Sequence, residues 1–449
     1  LHPKGEAIRM SGSKPDDRAQ ERRVAAAGHV TWRNRLLYGA GYLSVALTTD
    51  VTLTWLMKCY RPDPTDPRWN VLASAAAFSL ANIAGGIVDG LADPLVGFWS
   101  DRIRSRWGRR KPFIFIGAPF LALMFALVWM PPNPSVSVFN GVYLAATVAL
   151  FYFCFTLVVC PYLAMLPEIT AEPAERVRLT ACQGGFNVVG AVGGMLIAGL
   201  LIEHYGYRTM GLCFAPVVLL ACWAPLLVPT PAAGVRPSDL SIARAFATTL
   251  RNPLFVPYVV AQFLFWMALR VVLAPMAKFI EVRTGAAETQ QGMVLAVCLL
   301  VAAICLPFMV PLAKRFGKKR ILSAAMVYFG VMMVPLMFVG RLPLPLSALG
   351  QAVLLMALAG PAVATLFSLP NAMVADIVDH DERQTGQRRE AIYYGAQGLI
   401  VAGGFHLGIA VATLECAHFG ETAARQGGFV ACALTAMFLA WLAAVVLRK

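Results

Sequence analysis

Twelve apolar stretches recur along this 449-residue chain, most of them longer than the run of about 20 residues a helix needs to cross a bilayer. They lie near 34–57, 71–100, 112–131, 137–167, 180–202, 209–229, 255–280, 291–312, 321–340, 347–378, 392–415 and 428–447. The expected architecture is all-α, with twelve transmembrane helices. Stretches above the minimum length predict tilted or projecting helices. Only 14% of residues are charged, against about 25% in an ordinary soluble domain, and the mean hydropathy is +0.65. A soluble enzyme, a disordered chain and a secreted disulfide scaffold are excluded on these grounds.

The net charge of +14 would suggest a nucleic-acid partner if the charges formed a patch, but they sit in short loops. With the N-terminus placed inside, 29 of the 38 lysines and arginines fall on inside segments and eight on outside ones, and Arg270 remains within a stretch. Cytoplasmic loops carry such an excess. Both ends are therefore expected to face the cytoplasm, in a cell membrane of the bacterial inner-membrane kind, with no nucleic-acid partner. Residues 1–30 are polar and are expected to form neither a signal peptide nor a span. Eight of the ten cysteines sit in apolar runs as small hydrophobes, and no CxxC pair occurs. With neither an HExxH nor a GxSxG motif, an enzyme is not expected, and no resident cofactor is implied.

An internal repeat divides the chain. Arg106-Trp107-Gly108-Arg109-Arg110-Lys111 follows the second stretch, and Arg315-Phe316-Gly317-Lys318-Lys319-Arg320 follows the eighth, 209 residues later. Gly190-x-x-x-Gly194 in the fifth stretch is matched by Gly404-x-x-x-Gly408 in the eleventh. Glycines at this spacing let helices approach closely. The repeat predicts two pseudo-symmetric six-helix bundles, at 32–229 and 255–449. A polar segment 1–31 precedes them and a linker 230–254 joins them. Parallel repeats of this kind put a substrate site at their interface, near the midplane.

Four charges stand well inside stretches: Asp50, Asp89, Asp93 and Arg270. Each costs roughly 2.5–3.5 kcal/mol at a helix centre on insertion scales, so each is a functional candidate. Asp89 and Asp93 share one helix face. Their repulsion is relieved by a sodium ion with oxygen ligands, or by a proton held on one of them. A structural role is the other reading, with Asp93, next to Pro94, binding backbone amides. At 1.5 Å per residue, Asp89, Asp93 and Thr156 lie roughly 12–18 Å from the inner helix ends. Asp50 and Arg270 come from different halves; they either pair across the cavity or each hold a polar substrate group. Asn187, Gln183 and Gln397 either bind sugar hydroxyls or join helices. Tyr42, Trp55, Tyr152, Trp266, Tyr393 and Tyr394 either stack on a sugar or pack. His406 is either a packed neutral ring or a proton relay.

The segment Asp89-Gly-Leu-Ala-Asp93-Pro94-Leu-Val-Gly97-Phe-Trp-Ser-Asp101-Arg102, followed by Ser105-Arg106-Trp107-Gly108-Arg109-Arg110-Lys111-Pro112, resembles the major facilitator superfamily. Within it, the resemblance is to the glycoside–pentoside–hexuronide:cation symporters, the melibiose-permease-like family. Ala375-Asp376-Ile-Val-Asp379 and Thr385-Gly386-x-Arg388-Arg389-Glu390 agree with this. The resemblance spans roughly 32–447. It implies the major facilitator fold and a secondary active carrier working by alternating access, commonly driven by Na+ or H+ and often for sugars. It also implies cation binding by Asp89, Asp93 and Thr156, and an inner gate at Asp101, Arg102, Arg109, Asp376 and Arg389. Asp50, Arg270, Asn187, Gln397 and Tyr42 are the substrate-binding candidates. The expected partners are a small molecule and the lipid bilayer, with the protein a monomer.

The sequence departs from the family's melibiose carriers where those hold substrate. Ala46, Val159, Leu163, a position near Gly184, and Ala402 stand where they have an aspartate, an aspartate, a tryptophan, an arginine and a lysine. Ala92 replaces an asparagine between the two acids. The cation frame is partly kept and the galactoside site is largely gone. A sugar or glycoside remains the leading substrate expectation; an amphiphilic, lysolipid-like substrate is the alternative.

Overall fold

The computed structural model describes residues 30–64, 66–103, 105–170, 172–229, 249, 252–385, 390–422 and 424–448. The expected polar segment 1–31 lies outside them except for its last two residues. Most of the expected linker 230–254 also lies outside. The major helices are α1 (Trp32–Tyr60), α2 (Ala75–Arg102), α3 (Lys111–Leu127), α4 (Val138–Ala164), α5 (Pro173–Trp223) and α6 (Phe255–Leu273). They continue with α7 (Met276–Thr284), α8 (Glu288–Phe316), α9 (Lys318–Met337), α10 (Ala348–Thr385), α11 (Glu390–Phe419) and α12 (Gly427–Arg448). No strand occurs among the described residues.

Each of the twelve apolar stretches is helical. Gly206, at φ 83°, breaks α5 into two crossings, and α6 and α7 share one stretch interrupted at 274–275. Nine segments among the described residues are long and apolar enough to cross a membrane, the bent α5 counting once. Helix α3 has 17 residues, and α1 carries Asp50 and Lys58 within its length. Side-chain caps start several helices where the chain turns back. Thr31, Ser74 and Ser137 accept the amides of Asn34, Ala77 and Asn140, which would otherwise lack partners.

The internal repeat is also present in the backbone. Gly108 and Gly317 both take positive φ, 94° and 91°, a conformation side chains rarely adopt. Each reverses the chain between two helices. The glycine-x-x-x-glycine pairs make equivalent contacts. A Cβ on Gly190 would stand 2.7 Å from Ala46 on α1, and one on Gly404 would stand 2.6 Å from the Phe263 carbonyl on α6. Contacts across the molecule repeat likewise. Helix α2 meets α11 at Gly86 and Gly90, while α5 meets α8 at Gly199 and Gly292. At the second pair, added Cβ atoms would lie 2.4 Å from the Glu288 and Met195 carbonyls, so the two backbones touch.

The face where α1 ends is closed by buried ions. Lys58 is 1% exposed and reaches Glu281 at 3.0 Å, Glu288 at 3.1 Å and Gln291 at 2.8 Å. Arg68 joins Asp66 at 2.8 Å and Glu288 at 3.1 Å. Arg61 and Lys278 share Glu421 at 2.7 and 3.2 Å, and Lys278 also donates to the carbonyls of Arg61 and Pro62. Glu203 accepts from the Thr289 amide at 3.0 Å. These contacts tie α1, its following loop and α5 to α7, α8 and Glu421. Beside Arg68, the amide of Arg68 and its side chain hold the Asp66 carboxyl below its usual range, although burial pushes the other way.

At the opposite face, where α1 begins, the ion pairs stay local. Arg35 meets Glu175 at 2.9 Å, Arg109 meets Glu168 at 2.8 Å and Lys318 meets Asp376 at 2.7 Å. Toward that face Gly97, Gly184, Gly185 and Gly395 have open space where a Cβ would stand. Among the described residues, the ion pairs that join the two parts of the chain therefore gather at the end where α1 stops.

Lys58→Met takes from Glu281 its close cation and leaves Glu288 with Arg68 alone, a change that costs about 3–5 kcal/mol. The expected result is a population shifted away from this closed form. The check is maleimide labelling at Thr54→Cys, one turn below Lys58, in a background without the native cysteines. Reactivity rises from that face if the ionic layer holds it shut and stays unchanged if it does not.

Candidate functional site

Helix α2 lays Asp89 and Asp93 along the side that packs on α11. A Cβ on Gly90 would meet Leu399, and one on Gly398 would lie 4.0 Å from Asp93 Oδ2. Asp89 is half-buried and Asp93 is exposed. Pro94 lacks an N–H, so the Gly90 carbonyl between the two acids loses its usual helical partner. A backbone oxygen is thus left next to the carboxylates.

Two neighbours frame Asp89. From α4, the buried Thr156 hydroxyl donates to Oδ1 at 3.5 Å, and it also faces Asp93. From α11, the 2%-exposed His406 places Nε2 at 3.8 Å from Oδ2. Tyr152 meets the edge of the His406 ring at 4.6 Å. Neither ring nitrogen of His406 has a hydrogen-bond partner among the described residues. The cluster holds hard oxygen donors and unbalanced negative charge, which suits a small cation or a proton.

Asp50 is half-buried on α1, and Arg270 is 8% exposed near the end of α6. They are near enough to feel each other's charge, yet no ion pair within 4.0 Å joins them among the described residues. The Arg270 guanidinium lies 3.6 Å over the Phe405 ring and 5.6 Å from that of Trp266. Tyr42 and Asn187 are half-buried, Tyr42 with its ring 6.4 Å from Tyr162.

Other sequence candidates are engaged in packing. Gln183 donates to Tyr162 at 2.9 Å, and Tyr162 donates to the Tyr38 carbonyl. Gln397 accepts from Tyr258 at 3.1 Å, tying α11 to α6. Trp55 is fully buried, Tyr393 accepts from Asn252, and Tyr394 donates to the Asn371 carbonyl. Of the expected gate, Arg109 holds Glu168 and Asp376 holds Lys318. The side chains of Asp101 and Arg102, and Arg389 altogether, lie outside the described residues.

The sequence leaves His406 open between a packed ring and a relay, since nothing in a lone histidine shows which helix it will meet. The ionic layer is what the sequence does not reveal: Lys58 and Lys278 sit at the ends of apolar stretches, among the loop charges. Their signal was position, because Lys278 falls inside 255–280 with Glu281 one turn on. Asp66, Glu281 and Glu288 bring their oxygens within 4.8 Å of one another, but Lys58 and Arg68 sit among them.

Added bulk at the α2–α11 contact tests this geometry. A Cβ on Gly86 would stand 2.6 Å from His406 Cγ. Gly86→Ala is expected to cost about 1–3 kcal/mol through overpacking, seen as a lower Tm. Gly97→Ala meets nothing within 4 Å and is expected to hold or raise the Tm.

A family model described as "MFS/sugar transport protein" matches residues 68–447. The chain belongs to that family and is a multi-pass membrane transporter of the major facilitator fold. It is 26% identical to an uncharacterised symporter of Synechocystis, over 88% of this chain and 87% of the other. It is 26% identical to the sodium-dependent lysophosphatidylcholine symporter 1-B of Danio rerio, over 78% and 74%. It is 25% identical to a putative sulfoquinovose importer of Escherichia coli, over 81% and 76%. The crystal structure of the nucleoside transporter NupG superposes with a TM-score of 0.71 at 12% identity, covering 93% of this chain and all of that one.

Proposed function

We propose that this chain couples a cation, Na+ or H+, to the uphill movement of a sugar or glycoside. The carrying observation is Asp89, framed by Thr156 and His406 and one turn from Asp93, at the contact between α2 and α11. Sodium takes its ligands from Asp89, Asp93, the Thr156 hydroxyl and the freed Gly90 carbonyl; in the proton version one carboxyl carries the hydrogen. The sodium-dependent relative supports the first version.

The moving parts are the bundles 32–229 and 255–449, rocking about the α2–α11 and α5–α8 contacts. The excess of basic residues supports an orientation with both termini, and the face where α1 begins, in the cytoplasm, and the membrane in this reading is a bacterial inner membrane. The ionic layer is then the closed outer gate, and the site is reached from inside. Asp101, Arg102, Arg109, Asp376 and Arg389 close the inner face in the alternate state. Asp50, Arg270, Asn187, Tyr42 and Gln397 are the substrate-facing candidates. Gln397 acts mainly through its bond to Tyr258. One copy of the chain suffices for this cycle, with no resident cofactor.

A second reading is an amphiphilic or lysolipid-like substrate. It is favoured by the similarity to a lysophosphatidylcholine symporter, equal in identity to the first relative reported. Ala46, Val159, Leu163 and Ala402 also leave the path less polar than a galactoside site.

Reconstituted vesicles test the coupling. A sodium or proton gradient is expected to drive accumulation of a labelled glycoside or lysolipid. Asp89→Asn and Asp93→Asn are expected to lose accumulation while keeping downhill counterflow. In the sodium version, sodium raises the Tm of the wild type by mass action and not that of the variants. Accumulation surviving in the double variant would overturn the coupling site.

A further inference from the structure

The Arg270 side chain is charged, buried and, among the described residues, without a hydrogen bond. Its Nε is fully enclosed and has no partner, and none of the guanidinium's five N–H donors meets an acceptor among the described residues. Uncompensated burial of a charge costs several kcal/mol. Two features offset part of it. The face of Phe405 lies 3.6 Å from the guanidinium carbon, and the carbonyl end of α6 carries partial negative charge. Asp50 opposes it from α1 without closing to an ion pair. The guanidinium is thus held over an aromatic ring, with its hydrogen-bonding capacity unused among the described residues.

We propose that Arg270 is the anion subsite of the substrate path, and that the transported molecule carries an oxyanion, a sulfonate or phosphate, seated on this guanidinium. The proposal rests on the transporter reading and deepens it. A planar fork of N–H donors matches two oxygens of such a group at once. Asp50, on the opposite side, would accept from a hydroxyl or ammonium of the same molecule. Opposite charges facing without touching suit a ligand that is acidic at one point and donor-bearing at another. Phe405 fixes the plane of the guanidinium and acts as a positioning residue. Sulfonated sugars and phosphate-bearing lysolipids share this chemistry, and the test separates them.

Binding is measured by calorimetry on the purified full chain in nanodiscs with sodium present, using two matched pairs of probes. One pair is sulfoquinovose and glucose; the other is lysophosphatidylcholine and monoacylglycerol. One acidic probe is expected to bind about 10- to 100-fold more tightly than its uncharged counterpart, the value of hydrogen bonds to a charged group. The pair that shows this identifies the source. Arg270→Gln should abolish the preference while leaving the weak affinity for the uncharged probe. Arg270→Lys should restore part of it, which a merely structural arginine would not do.

Three results overturn the proposal. They are equal affinity within both pairs, no binding of either acidic probe, and a preference that survives Arg270→Gln in protein of unchanged Tm. Gradient-driven uptake is read separately in vesicles. Accumulation of an oxyanion-bearing probe undiminished by Arg270→Gln sinks the anion subsite and leaves the transporter reading standing. Oxyanion binding lost in Arg270→Gln, with no driven uptake of any probe, does the reverse.

Discussion

A charge removed from water must be answered by another charge, and this constraint organises the molecule. Where the answer is complete, as among Lys58, Glu281, Glu288 and Arg68, the halves are pulled together and the face is shut. At Asp89, Asp93 and Arg270 the answer is incomplete among the described residues. Buried ion pairs stabilise less than their geometry suggests, because desolvation offsets much of the attraction. That near-balance suits a carrier. A layer that held with its full Coulomb energy would never open.

The helices were legible because membrane crossing imposes a length and a composition that can be counted. The repeat was legible because it is written in glycines and basic residues, whose backbone and loop roles do not depend on distant neighbours. Gly108 and Gly317 carry the same turn, and Gly190 and Gly404 make the same kind of contact. The acid pair was legible from cost alone. What the sequence withheld was partnership. Asp50 and Arg270 look like a pair on a helix diagram, yet the side chains do not close on each other. His406 looks like an ordinary packed ring until α11 sets it against α2. Lys58 and Lys278 look like loop charges until two loops and four helices converge on them. Each depends on how helices far apart in the chain rotate against one another, and one-dimensional periodicity does not carry that angle.

Glycine marks both where the halves bear on each other and where they do not. At Gly199 and Gly292 the backbones of α5 and α8 meet with no side chain between them, while Gly184, Gly185 and Gly395 face open space. A rigid backbone bearing at one end and a loose cleft at the other is the geometry of a rocker. Its direction follows from where small residues are packed.

The matched turns at Gly108 and Gly317 carry one more consequence. Counting back from them places Asp89 and Asp93 opposite Cys298 and Ala302 in the second copy. Architecture has been doubled and chemistry has not. Only the first copy brings carboxylates to that position, while the second contributes a guanidinium from another helix. The repeats are twins in pattern and specialists in charge.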